Sequence, residues 1–218
     1  MKLKRYIIFV HGVYREREIT FYRNLIRGKI SIAVDGGYAL FRKAGLFPDV
    51  LLGDFDSLKK VPAHLPETTT VLRFPSDKDK TDVHLALDYA VHNGAKKIDI
   101  VMPDVGEIDQ FLGNVLLLAH PFLATEGKHI AQVRVVNARY EIRLVYNRSV
   151  TFLNCKGSKV SILPLSSKIV LDSRGMLYDA RGVRIGIGDS RGLRNIVTAE
   201  RATLRIQGKA LVVHYFKR

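Results

Sequence analysis

The chain has 218 residues, 47% hydrophobic and 26% charged, enough for one large domain or two small ones and too apolar for disorder. Its apolar runs are far shorter than a bilayer requires, and Tyr6–Val10 behind the basic start is too short for a secretory core, so no membrane partner is expected. The net charge of +14 is uneven: residues 1–125 hold 17 Lys/Arg against 15 Asp/Glu, whereas residues 126–218 hold 18 against 6. A basic half of this kind suits nucleic acid, an acidic surface or a polyphosphate substrate, or is simply a solvated face.

The first half alternates strand and helix patterns. Tyr6–Val10 is β-branched and aromatic and ends at His11-Gly12. Residues 16–27 carry Ile19, Tyr22, Leu25 and Ile26 at helical spacing. Ile30–Val34 is a second strand ending in Asp35-Gly36-Gly37, and a short helix, Tyr38–Ala44, stops at Gly45. Asp49–Leu52 is a third strand and Thr69–Phe74 a fourth, followed by a charged loop at 76–81. A helix at about 82–93, a strand at Ile98–Met102 and a helix at Ile108–His120 complete this half. Repeated strand–helix units with apolar strands indicate a parallel, Rossmann-like α/β sheet covered on both faces.

The second half changes period. Gln132–Val136, Ile142–Tyr146, Lys159–Leu163, Val183–Ile187 and Thr203–Ile206 alternate in steps of two, and Gln207-Gly208 reads as the turn of a hairpin to Ala210–Phe216. That predicts an antiparallel β-sandwich. The expected domains are therefore 1–126, α/β, and 127–218, β. Cys155 is the single cysteine, which excludes an internal disulfide and suits a reducing cytoplasm. No P-loop, dinucleotide fingerprint, nucleophile elbow or zinc spacing occurs, and the seven histidines read as surface or packing residues.

The acidic residues of the first half follow strand ends. Asp35 follows the second strand; Asp54 and Asp56 the third; Asp77, Asp79 and Asp82 the fourth; Asp104, Glu107 and Asp109 the fifth. In a parallel sheet these loops open on one edge, where such sheets bind ligands. Crowded carboxylates repel one another, so a cation must neutralise them. Oxygen ligands without His or Cys suit Mg²⁺ together with substrate phosphate. Lys78 and Lys80 lie among them, placed to meet phosphate oxygens.

The series Asp35-Gly36-Gly37, Pro48-Asp49 through Gly53-Asp54-Phe55-Asp56-Ser57, and Lys78-Asp79-Lys80-Thr81-Asp82 resembles the thiamine pyrophosphokinase family. That family's pattern runs DGG, PD…GDFDS, KDxTD and then GGRxDHxLxN, here residues 105–114. The resemblance implies transfer of diphosphate from ATP to the hydroxyl of thiamine, giving thiamine diphosphate and AMP. It also implies a homodimer whose β domain helps to hold thiamine. It assigns Mg²⁺ and the phosphates to Asp54, Asp56, Asp79 and Asp82. Asp109 would orient or deprotonate the hydroxyl, or hold metal. Asp35, Gly36, Gly37, Ser57, Lys78, Thr81 and Gln110 fall on the ATP side, and Ser190, Arg194 and Asn195 on the acceptor side.

The chain departs from the pattern in four places. The family's Arg is Glu107 and its His is Gln110, while in the acceptor motif G-x-S-x-G-x-SNE the second Ser and the Glu are Arg194 and Ile196. Some of Arg174, Arg181, Arg184, Arg191 and Arg194 are expected to replace the missing arginine by neutralising the triphosphate. Two other readings compete. One is the same chemistry on another hydroxymethyl heterocycle, such as a pterin, motivated by residues 194 and 196. The other is a non-catalytic nucleotide- or RNA-binding module, disfavoured because the few aromatics of the β half form no stacking motif. Nucleic acid is accordingly not an expected partner.

Overall fold

Six parallel strands share one edge for their ligand-facing loops. The computed structural model describes residues 3–55, 62, 64–103, 106–125, 128, 129 and 131–217. It divides into two contact-dense units, Met1–Ala138 and Arg139–Arg218.

In the first unit, β1 (Arg5–Phe9), α1 (Ile19–Ile26), β2 (Ile30–Val34), α2 (Tyr38–Ala44), β3 (Val50–Gly53), β4 (Thr70–Arg73), α3 (Asp82–His92), β5 (Lys97–Val101) and α4 (Ile108–Leu116) follow in order. Two dipeptide strands, β6 (Ala124–Thr125) and β7 (Lys128–His129), pair with each other, and β8 (Gln132–Val136) ends the unit. The sheet order is β8-β5-β1-β2-β3-β4, parallel throughout. Strand order reverses at β1, so the crevice outside the carboxyl ends of β1 and β5 is a topological switch point. Phe9, Tyr14, Tyr22 and Phe41 form a buried aromatic cluster, three of its four ring pairs edge-to-face and Phe9–Tyr14 tilted, that seats α1 and α2 on the sheet.

One expectation fails here. Gln132–Val136 belongs to the first unit, because β8 pairs parallel with β5 and its Arg134 reaches Asp99 of that strand at 2.6 Å. The division therefore falls at Ala138/Arg139 and not at 126/127. Period-two alternation marks a half-exposed strand, and an edge strand of a parallel sheet has that pattern as well.

The second unit is antiparallel. It contains β9 (Tyr140–Leu153), β10 (Lys159–Pro164), β11 (Lys168–Arg174), β12 (Val183–Gly186), β13 (Asn195–Ile196) and β14 (Arg201–Tyr215). The expected hairpin at Gln207-Gly208 is instead a bulge inside one long strand. Pairing of β14 with β9 shifts register between Ile206 and Lys209, and Gly208, at φ +97°, donates its N–H to Asn147 Oδ1 at 2.7 Å. The first part of β14 pairs with β11 and the last part with β10, which bends the sheet around Val160, Ile169, Leu171, Leu204 and Val212. Among the described residues, no helix is long and apolar enough to cross a membrane.

Candidate active site

The loops after β2, β3 and β4 meet over the sheet edge, and two glycines make the approach possible. A Cβ on Gly37 would lie 2.0 Å from the Phe9 carbonyl oxygen, so the turn after β2 packs directly on the backbone of β1. A Cβ on Gly53 would lie 1.8 Å from Asp35 Oδ1, so the end of β3 leaves room for that carboxylate. Asp35 (φ +43°) and Phe55 (φ +66°) both occupy the left-handed region, and the Phe55 N–H donates to Asp35 Oδ1 at 3.1 Å. Each such residue costs of the order of 1–3 kcal/mol and persists where its surroundings over-determine it. The outcome is a fixed carboxylate directed across the strand ends.

Lys78, on the loop after β4, reaches into this group. Its Nζ lies 2.8 Å from Asp82 Oδ1, in the first turn of α3, and 3.8 Å from Asp54 Oδ2. Lys78 Nζ and Asp82 Oδ1 are both sealed from solvent, and their contact is an ion pair in a geometry that forms no hydrogen bond. Burial, together with the negative charges of Asp82 and Asp54, raises the Asp35 pKa to about 6 against the partial offset of the Phe55 N–H and Lys78. Lys78 thus acts on all three carboxylates, pairing with Asp82, lying near Asp54 and lowering the pKa of Asp35. Among the described residues, no three His, Cys, Asp or Glu side chains form a ready-made metal cage. Mg²⁺ takes only one or two carboxylates and completes its shell with water and phosphate, so Asp54 and Asp82 fit it.

These loops lie within the stretch that matches a known family. Residues 22–130 match the model described as the catalytic domain of thiamin pyrophosphokinase. The chain belongs to the thiamin pyrophosphokinase family. It is 26% identical over 186 residues to the thiamine pyrophosphokinase of Bacillus subtilis (strain 168), covering 84% of this chain and 85% of that one. A crystal structure of the Bacillus subtilis thiamine pyrophosphokinase superposes with a TM-score of 0.78 at 25% identity, over 99% of this chain and 100% of that one. Thiamin pyrophosphokinase from Candida albicans, at 14% identity, shares the fold, with a TM-score of 0.75 over 99% of this chain and 90% of its own.

The other sequence-derived site residues are placed as follows. Asp56 and Ser57 lie outside the described residues, as does Asp104. Gly36 and Gly37 are buried in the turn that carries Asp35. Asp79 is exposed on the loop beside Lys78. Thr81 is the N-cap of α3, its Oγ1 accepting from the His84 N–H at 3.3 Å, which orients the helix that bears Asp82. Lys80, expected to meet phosphate, instead pairs with Asp88 at 2.6 Å. Asp109 and Gln110 are exposed in the first turn of α4, where Asp109 Oδ1 accepts the Gln110 N–H at 2.8 Å.

In the second unit, a cavity of about 330 Å³ opens over an apolar floor of Val160, Ile162, Leu171, Ile185 and Leu204. Tyr178, Asp179, Arg191 and Asn195 supply polar groups to its lining. Asn195 is committed to backbone: its Oδ1 accepts from the N–H of Tyr178 (3.1 Å) and of Ile196 (2.9 Å), and its Nδ2 donates to the Tyr178 carbonyl (2.7 Å). It therefore fixes the 176–179 loop beside the cavity. Ser190 and Arg194 are exposed; Arg194, at φ +59°, is held by its N–H to Ser161 Oγ at 2.9 Å. Arg174 and Arg184 lie on the outward face of β11 and β12 and do not line the cavity. Sequence reasoning missed Tyr178 and Asp179. Only the pairing of β10, β11, β12 and β14 brings their loop to this cavity, and no local motif marks it.

Proposed function

We propose that the chain catalyses diphosphate transfer from ATP to the hydroxyl of thiamine, yielding thiamine diphosphate and AMP. One observation carries the reading: Asp35, Asp54, Lys78 and Asp82 converge at the ends of β2, β3 and β4, with a buried ammonium and carboxylate oxygen that form no hydrogen bond. In the reaction, the thiamine hydroxyl oxygen bonds to the β-phosphorus of ATP. The bridging bond from that phosphorus to the AMP oxygen breaks, and the hydroxyl proton is released. Mg²⁺, held by Asp54 and Asp82 with Asp56 and Asp79 as further ligands, would neutralise charge on the transferring group.

The chain's own residues do the remainder. Lys78 offers three donors to phosphate oxygens, Asp35 fixes the end of β3, and Thr81 orients Asp82 through the helix cap. Asp109, exposed at the start of α4, orients the hydroxyl or receives its proton. The thiamine end belongs to the cavity of the second unit, with Asp179 as the anionic group nearest a cationic heterocycle. The same reading includes a cytoplasmic homodimer.

The deciding experiment measures AMP release with ATP, Mg²⁺ and thiamine. Thiamine-dependent AMP is expected, with kcat reduced roughly 10²–10³-fold in Lys78→Ala, the scale of one lost donor to a transition-state oxygen. AMP released only with a pterin alcohol would move the acceptor, and no AMP with any alcohol would defeat the reading.

A further inference from the structure

One side of the second unit's sheet carries five of that unit's sixteen Lys and Arg residues. Strand pairing sets Arg205 of β14 opposite Ser149 of β9 and Asp172 of β11, Thr203 opposite Thr151 and Arg174, and Arg201 opposite Leu153. Gln207 faces Val170, which faces Arg184 of β12, and Lys168 begins the β11 row. Alternate residues share a face, so these side chains point one way while Ile169, Leu171, Ile185, Leu204 and Ile206 point into the core. Lys168, Arg174, Arg184, Arg201 and Arg205 are all exposed, and among the described residues none of the five is held in an ion pair. The acid on this face is Asp172, whose Oδ1 receives the Gly182 N–H at 2.8 Å; Asp189 at the rim receives the Gly186 N–H at 2.7 Å. Ser149, Thr151, Thr203 and Gln207 stand between the cations with donors of their own.

The side chains select among polyanions. Four of the five cations are arginines, whose fork matches phosphate oxygens in a bidentate manner. The face carries no aromatic side chain, so it offers no stacking platform for single-stranded bases. Leu153 and the half-buried Val170 are its apolar residues, too few to anchor in a lipid interface or to form the apolar centre of a protein interface. Four strands spaced about 4.8 Å apart span roughly 15 Å, enough to touch the two backbones beside a minor groove about 6 Å wide.

We propose that this face binds duplex nucleic acid through its phosphate backbone, without sequence preference and independently of diphosphate transfer. Five cations opposed by one carboxylate correspond to about four phosphate contacts, giving a slope of log K against log salt near −3.6. The test is fluorescence anisotropy of a labelled mixed-sequence DNA duplex titrated with the full chain over a range of salt concentrations. The triple variant Lys168→Gln/Arg201→Gln/Arg205→Gln is expected to reduce that slope to about −1, from about 0.9 lost per contact, with melting temperature and thiamine-dependent AMP release unchanged. No duplex binding by the native chain at low salt would overturn the proposal. So would an unaltered slope in the triple variant, or tighter binding to a single strand or to phosphatidylserine vesicles than to the duplex.

Discussion

Asp35 is the residue whose chemistry departs most from its type. Its folded pKa of about 6 lies above that of an ordinary aspartate because burial and the charges of Asp82 and Asp54 disfavour the carboxylate. A carboxyl whose folded pKa is raised contributes stability that is fully present below its unfolded pKa and is lost as pH rises through the folded value. In the absence of magnesium, native protein should therefore lose stability between about pH 4 and pH 7 relative to Asp35→Asn, which cannot ionise. Denaturant titrations of both proteins across that range measure the difference, and parallel curves would show that Asp35 ionises freely. Function gives the strain a purpose. On the proposed reading, a magnesium–nucleotide complex would relieve the crowding of Asp35, Asp54 and Asp82.

At the level of elements, the parallel sheet is tied together by a charge that takes no part in the site. Asp99 of β5 is buried and holds Lys29, before β2, at 2.6 Å and Arg134 of β8 at 2.6 Å. Burial alone would raise its pKa, but the hydrogen bonds and charges of Arg134 and Lys29 outweigh that effect and hold it below the usual carboxylate range. Asp99→Ala leaves the part-buried Lys29 ammonium without its carboxylate and removes one partner of Arg134; it should cost about 3–5 kcal/mol, read as a lower denaturation midpoint, with the remaining folded protein still active. This contact also explains what the sequence concealed. The helices and the strands β1–β5 were legible because apolar periodicity and capping residues are local. Strand β8 was legible as a strand over Gln132–Val136 but its place in the parallel sheet was not, because its partner β5 and the carboxylate that meets Arg134 lie more than thirty residues away. The bulge at Gly208 was misread for a related reason. A Gln-Gly pair between alternating runs suits a turn or a bulge equally, and the decision lies with Asn147 on the neighbouring strand. The meeting of Asp35, Asp54 and Asp82 was legible, since in a parallel sheet the loop after each strand has a known edge. That Asp35 would be strained and Asn195 spent on the backbone of Tyr178 depended on contacts no motif encodes.

For the whole molecule, the two units differ in what holds them. The first has the aromatic cluster and parallel sheet beneath Asp35, Asp54 and Asp82. The second has its own core of Val145, Phe152, Val160, Ile169, Leu204 and Val212 beneath the basic face. Units with separate cores melt as separate cooperative systems unless a large apolar interface couples them. A ligand that binds only the folded form of one unit stabilises that unit by RT ln(1 + [L]/Kd), about 2.7 kcal/mol at one hundred times Kd. Scanning calorimetry with magnesium and a non-hydrolysable ATP analogue should therefore raise one of two transitions by several degrees and leave the other in place. Asp54→Asn should abolish the shift without removing the transition. A single transition that moves as a whole would mean that the units are energetically one, and that nucleotide binding at the strand ends of the first is felt throughout the second.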